Sequence, residues 1–140
     1  MVYLISITIL SNVYTNETEF DVSSLKELPK VGVAYFTIDA DPEILDYYKE
    51  SGVQGIVIAG AGSGCYSEQW NNKIDELAET GIPVVRCSRI GSGVITQDDY
   101  FIGNIARGND LAPQKAATLL RLILTVTNDI EQVQNMFDKY

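Results

Sequence analysis

The stretch GIVIAGAGSGC, residues 55 to 65, carries the clearest indication of the fold. Its first half is an apolar run rich in β-branched residues, which is typical of a strand buried on both faces. Its second half is a glycine-rich turn, and Ser67 beyond it caps a predicted helix with Trp70, Ile74 and Leu77 on one stripe. A buried strand, a turn and an amphipathic helix in this order predict an α/β fold with a parallel sheet.

The same alternation of apolar runs and helical periods continues on both sides of this stretch. The apolar runs are short, whereas the helical stretches repeat apolar residues at intervals of three and four. The further predicted elements are strands over residues 31–38, 83–87 and near 101–105, and helices from Asp41 to Gly52, over 114–125 and from an N-cap at Asn128 onward.

The composition narrows the classes of function. The chain has 140 residues, of which 46% are hydrophobic and 21% charged, as expected for one globular domain. Nineteen acidic against ten basic residues give a formal charge of −9, so nucleic acid and anionic membrane surfaces are unfavourable partners. The chain contains no histidine, which excludes histidine-based catalytic triads and histidine-ligated zinc sites. We expect neither a cofactor nor a metal ion.

The amino-terminal residues differ in character from the rest of the chain. Val2 to Leu10 is apolar, but nine residues are too few to span a bilayer. This run also lacks the basic residues before it and the small-residue cleavage site after it that define a secretory signal. We assign residues 1–19 to an N-terminal segment, a strand or the remnant of a linker, and residues 20–140 to one domain. A cytoplasmic location is expected.

The glycine-rich loop from Gly60 through Gly62, Ser63 and Gly64 to Cys65 lies where the second strand ends. In parallel α/β folds, ligands bind at the carboxyl ends of strands, and glycines let backbone amides approach them. The loop lacks the last glycine of the dinucleotide fingerprint and the G-K-[ST] of a nucleotide P-loop. Two interpretations stay open: a loop that binds a small ligand, and a turn whose glycines only supply positive φ.

Three further sets of residues have a functional and a structural interpretation. Cys65, near a helix start, is either a reactive thiol or an ordinary loop side chain. Ser88 and Arg89 follow the third strand and either bind a carboxylate or a partner subunit, or pair with a surface acid. Asp99, beside Tyr100 in the long connection before the last predicted strand, either shapes a polar site or faces solvent.

Four segments, taken in order, resemble a single family. They are FDVSSLKELPKVGV from residue 20, GIVIAGAGSG from residue 55, GIPVVRCSRIGSG with TQD behind it from residue 81, and DLAPQKA followed by NDIEQVQNMF. They resemble the C-terminal domain of bacterial-type L-asparaginases and glutaminase-asparaginases from about residue 20 to 140. The resemblance implies a three-layer α/β sandwich around a mainly parallel, four-stranded, Rossmann-like sheet.

The resemblance also implies that most of the catalytic machinery lies elsewhere. The family's nucleophilic threonine, and its second threonine with lysine and aspartate partners, belong to a larger N-terminal domain and match no position here. The family's C-terminal domain contributes to a dimer, and its glycine-rich and later loops send an asparagine and often a glutamate into the neighbouring active site. These accessory positions correspond to Ser63, Cys65 and Tyr100, and all three are substituted in this chain; Asp99 lies one place before Tyr100.

We therefore expect an isolated C-terminal domain that resembles L-asparaginase, an amidohydrolase that releases ammonia from asparagine or glutamine. We expect no catalytic residue in this chain and no activity from it alone, because covalent acyl transfer needs an activated nucleophile. The expected partners are a second copy of the chain or a missing N-terminal asparaginase domain, with a small amino acid as ligand. The alternative is a non-catalytic assembly or small-ligand-binding module.

Overall fold

A computed structural model describes residues 17–97, 101 and 103–140. In these residues all three pairs of neighbouring strands are parallel. The α/β fold with a parallel sheet is thereby confirmed. One sheet, in the order β1-β2-β3-β4, contains β1 (Val31–Tyr35), β2 (Gly55–Gly60), β3 (Val84–Ser88) and β4 (Ile105–Arg107).

Helices cover both faces of this sheet. Because successive strand residues point to opposite faces, Ile56 and Ile58 join the apolar core beneath α1 and α2, whereas Val57 joins the core beneath α3 and α4. Every residue of β2 is buried as a result. The three-layer sandwich is confirmed. Its helices are α1 (Ile44–Glu50), α2 (Glu68–Glu79), α3 (Pro113–Ile123) and α4 (Ile130–Lys139).

The start of α2 agrees with its sequence signals. Ser67 is the N-cap, and its hydroxyl oxygen accepts a hydrogen bond from the Trp70 backbone N–H at 3.4 Å. Trp70, Ile74 and Leu77 are buried, as the apolar stripe predicts. Seven residues separate the last residue of β2 from the first residue of this helix, so the helix fixes the far end of the glycine-rich loop.

Several element boundaries differ from the prediction. The first helix begins at Ile44 after an N-cap at Glu43 rather than at Asp41, and β4 spans Ile105–Arg107 rather than lying near 101–105. β1 ends at Tyr35 rather than Ile38. Tyr35 pairs with Ala59, and β2, the neighbour of β1 in the described sheet, ends one residue later at Gly60, where the glycine-rich loop begins. The N-cap of α4 is Asp129 rather than Asn128, and the Asp129 carboxylate accepts a hydrogen bond from the Gln132 backbone N–H at 3.0 Å. A charged acceptor one residue later therefore replaces the predicted cap.

No helix in the described part of the chain combines the length and apolar character needed to cross a bilayer.

Candidate functional site

The glycine-rich loop forms a tight turn at the carboxyl end of β2. Ala61 and Cys65 exchange two backbone hydrogen bonds of 2.8 and 2.7 Å, which close the turn at its base. Gly62 and Gly64 have φ values of 52° and 80°, and a side chain at Gly60 would collide with the backbone of Gly64. The turn therefore requires its glycines, and it leaves the side chains of Ser63 and Cys65 exposed.

Ser88 and Arg89 connect the ends of three strands. The Ser88 hydroxyl donates a hydrogen bond to the Gly62 carbonyl at 2.5 Å and accepts one from the Ile90 backbone N–H at 3.0 Å. The Arg89 backbone N–H donates to the Gly60 carbonyl at 2.9 Å, and its guanidinium donates to the Phe36 carbonyl at 2.8 Å. Both residues thus hold the carboxyl ends of β1, β2 and β3 together through main-chain carbonyls.

Sequence reasoning missed Arg86, a buried cation beneath the glycine-rich loop. Arg86 is 3% exposed, and its two terminal nitrogens donate to the Ser63 carbonyl at 3.0 Å and the Thr96 carbonyl at 2.8 Å. Its guanidinium carbon lies 4.0 Å from the centre of the Phe101 ring. The signal was present in the sequence, because Arg86 occupies a central position of a strand whose neighbours are apolar.

The two cysteines lie in contrasting environments. Cys65 is exposed in the loop, whereas Cys87 is fully buried with its sulfur packed against Gly108. Burial raises the pKa of the Cys87 thiol to about 12, outweighing the opposite effect of the nearby Arg86 charge. Since the thiolate is the nucleophilic form, Cys87 is a core residue and not a candidate for chemistry.

Asp99 and Tyr100 lie outside the described residues. The residues near them on either side are described: the Thr96 carbonyl accepts a hydrogen bond from Arg86, and the Phe101 ring packs over the Arg86 guanidinium. The connection between β3 and β4 therefore approaches the glycine-rich loop both before and after these two positions.

Apolar side chains are exposed where the chain leaves β1 and β3. The hydrogen bond from Arg89 to the Phe36 carbonyl brings these two segments together. Ile38 is 92% exposed, which is unusual for an isoleucine beside a core. We call the following set the carboxyl-edge surface: Tyr35, Ile38, Ile90 and Val94 with the exposed loop residues Ser63 and Cys65.

These features define an α/β domain with a loop-built surface at the carboxyl edge of its sheet. The family model for the glutaminase/asparaginase C-terminal domain matches residues 30–137. The chain belongs to this family, as its sequence segments predicted.

Similar proteins are considerably longer than this chain. L-asparaginase 2 of Escherichia coli strain K12 is 42% identical over 91% of this chain and 37% of its own length. L-asparaginase 2 of Bacillus subtilis strain 168 is 39% identical over 91% of this chain and 34% of its own length. The crystal structure of a probable cytoplasmic L-asparaginase from Campylobacter jejuni matches with a TM-score of 0.85 and 36% identity. That match covers 91% of this chain and 42% of the other.

Proposed function

We propose that this chain is the C-terminal domain of an asparaginase-type amidohydrolase and works with an N-terminal domain that supplies the nucleophile. The observation that supports this proposal is the coverage of the match. A structural likeness with a TM-score of 0.85 extends over 91% of this chain but over only 42% of an L-asparaginase. The chain spans about a third of the length of the curated relatives it matches. Its substrate class is then asparagine or glutamine.

The chain by itself is inactive in this proposal. Amide hydrolysis through a covalent intermediate needs a nucleophile with a base beside it. The Ser88 hydroxyl donates its hydrogen bond to the Gly62 carbonyl, which is not a base, and burial keeps the Cys87 thiol protonated at neutral pH. Cys65 is exposed and lies in a chain without histidine, the residue that most often activates a thiol.

The carboxyl-edge surface is the face that we assign to the catalytic partner. It combines exposed apolar side chains, whose burial by a partner is favourable, with the tip of the glycine-rich loop. Ser63, Cys65 and Tyr100 correspond to accessory active-site positions of the family, so a small amino acid bound there would contact this loop. We also propose a cytoplasmic location, in keeping with the name of the Campylobacter jejuni protein.

Reconstitution tests this proposal. The part of the Escherichia coli relative that has no counterpart here is co-expressed and purified with this chain, and ammonia release from asparagine and glutamine is measured. We expect activity from the complex and none from the chain alone. Ammonia release by the chain alone that persists in a Cys65→Ala variant after repeated purification would contradict the proposal.

Two lysine substitutions show whether the carboxyl-edge surface binds the partner. Ile38→Lys places a charge on that surface, whereas Val126→Lys places one on another exposed apolar side chain, just beyond α3. We expect Ile38→Lys to raise the dissociation constant of the complex at least about tenfold, the equivalent of roughly 1.4 kcal/mol, and so to lower the yield of complex. Val126→Lys should leave the yield unchanged, and equal losses in both variants would exclude this surface as the partner site.

The second candidate function is a non-catalytic module that associates with itself through the same surface. The exposed apolar side chains favour it, because a single soluble chain rarely leaves such a group uncovered. Sedimentation at increasing concentration distinguishes it from the first candidate: a rising apparent mass supports self-association, and a constant mass contradicts it.

A further inference from the structure

We infer that Arg86 is a positioning residue that holds the glycine-rich loop and the β3–β4 connection in one fixed relative arrangement. Its effect on catalysis rests on the proposed function, because the two loops it joins carry the accessory positions Ser63, Cys65 and Tyr100. The arrangement itself is a property of this chain and can be measured without any activity.

The hydrogen bonds of Arg86 join two loops that are distant in sequence. One terminal nitrogen donates to the Ser63 carbonyl in the glycine-rich loop, and the other donates to the Thr96 carbonyl in the β3–β4 connection. A guanidinium is a rigid, planar group, so the directions of its N–H bonds are fixed relative to each other. Two carbonyls bound to one such group are therefore fixed relative to each other as well. A lysine ammonium has a single nitrogen and cannot reproduce this geometry.

Packing around Arg86 restricts it to this position. A side chain at Gly64 would lie 3.1 Å from Cγ of Arg86 and 2.9 Å from the end of Ile95, so the stem of the arginine runs directly beneath the loop. The Phe101 ring covers the guanidinium, and the Tyr66 ring contacts Phe101 edge-on with the ring centres 4.9 Å apart. A buried charged group that is surrounded in this way has few alternative conformations.

The consequence for a catalytic complex is that both loops meet the partner as one unit. A misplacement on the order of 1 Å in a group that positions a substrate costs roughly a hundredfold in rate. Fixing the two loops to one buried side chain prevents such displacements. Arg86 does this without reaching the surface itself, so it acts through the loops and not on the substrate.

The test measures the distance between the two loops. Cys65 is the exposed native thiol, and Cys87 is buried, so spin labels attach to Cys65 and to an added Val94→Cys at an exposed position. Because Gly64 and Ile95, the chain neighbours of the labelled positions, are in contact, the labels lie close together, and dipolar broadening of the continuous-wave electron paramagnetic resonance spectrum gives the distribution of distances between them. We expect one narrow distribution with Arg86 present. In Arg86→Met, which keeps the apolar stem and removes the guanidinium, the width should at least double.

Two further variants make the result decisive. Arg86→Lys keeps the charge and should give an intermediate width; it also decides the question if Arg86→Met does not fold. Arg121→Met removes another arginine that binds a main-chain carbonyl, that of Pro29 at 3.1 Å near the opposite edge of the sheet. It should leave the distribution unchanged. Unchanged widths in both Arg86 variants, or equal broadening in Arg121→Met, would overturn the inference, whatever the outcome of reconstitution.

Discussion

At the scale of single residues, Gly62 and Gly64 illustrate two different requirements for glycine: a left-handed backbone conformation and a lack of space for a side chain. Both have positive φ, but a Cβ at Gly62 meets nothing within 4 Å, whereas one at Gly64 meets Ile95 and Arg86 at 2.9 and 3.1 Å. Gly62→Ala should therefore cost only the left-handed backbone, about 1–2 kcal/mol. Gly64→Ala should cost about 1–3 kcal/mol more because it also overpacks the core. Urea unfolding of the two variants checks this, and equal losses would show that the loop relaxes freely around Arg86.

The residue scale is also where sequence reasoning about the site was weakest. The glycine-rich loop was found because glycines at the end of an apolar run are visible in the sequence. A charged residue within an apolar strand marks Arg86 as unusual, but the sequence does not show what Arg86 binds, because its partners are the backbone carbonyls of Ser63 and Thr96 and no sequence pattern records a contact to a main-chain atom. The role of Ser88 in binding the Gly62 carbonyl was hidden for the same reason.

At the scale of elements, the amino terminus of α4 offers a matched pair of substitutions. Asp129 is the N-cap and accepts the hydrogen bond of the Gln132 backbone N–H, whereas the adjacent Asn128 does not cap the helix. Asp129→Ala should lower the free energy of unfolding by about 1 kcal/mol through the lost cap and the lost charge near the helix dipole. Asn128→Ala should change it by less than about 0.5 kcal/mol. Thermal unfolding measures both changes. A larger loss of stability in Asn128→Ala than in Asp129→Ala would show that Asn128 caps the helix, as the sequence predicted.

Elements were predictable from the sequence where local chemistry decides them, and less so where tertiary partners decide them. Ser67 and the apolar stripe of α2 are local signals, and that helix was predicted with its correct cap and buried face. The end of β1 depends on where β2 stops pairing, which residues 31–38 do not encode. The position of β4 was predicted near residues 101–105, whereas the strand spans Ile105–Arg107, because its register is set by pairing with β3.

At the scale of the whole molecule, the described residues form an apolar core on each face of the sheet. One apolar cluster lies beneath α1 and α2 and the other beneath α3 and α4, with the sheet between them. A domain of this size buries roughly two thirds of the surface of its unfolded chain, which is enough for independent stability. Under the proposed function, the chain without its N-terminal partner should therefore lack activity and still fold.

Trp70 makes this expectation testable because it is the single tryptophan of the chain. Its side chain is buried in the core beneath α1 and α2, where the indole N–H donates a hydrogen bond to the Ala40 carbonyl. Fluorescence of Trp70 reports one face of the sheet, whereas far-ultraviolet circular dichroism reports the helices of both faces. We expect the two urea-unfolding curves of the isolated chain to coincide, since the shared sheet couples the two cores. Separate transitions would mean that one face depends on the missing partner. Coincident transitions would mean that both cores fold together in the isolated chain, so that an absence of activity could not be attributed to an absence of folding.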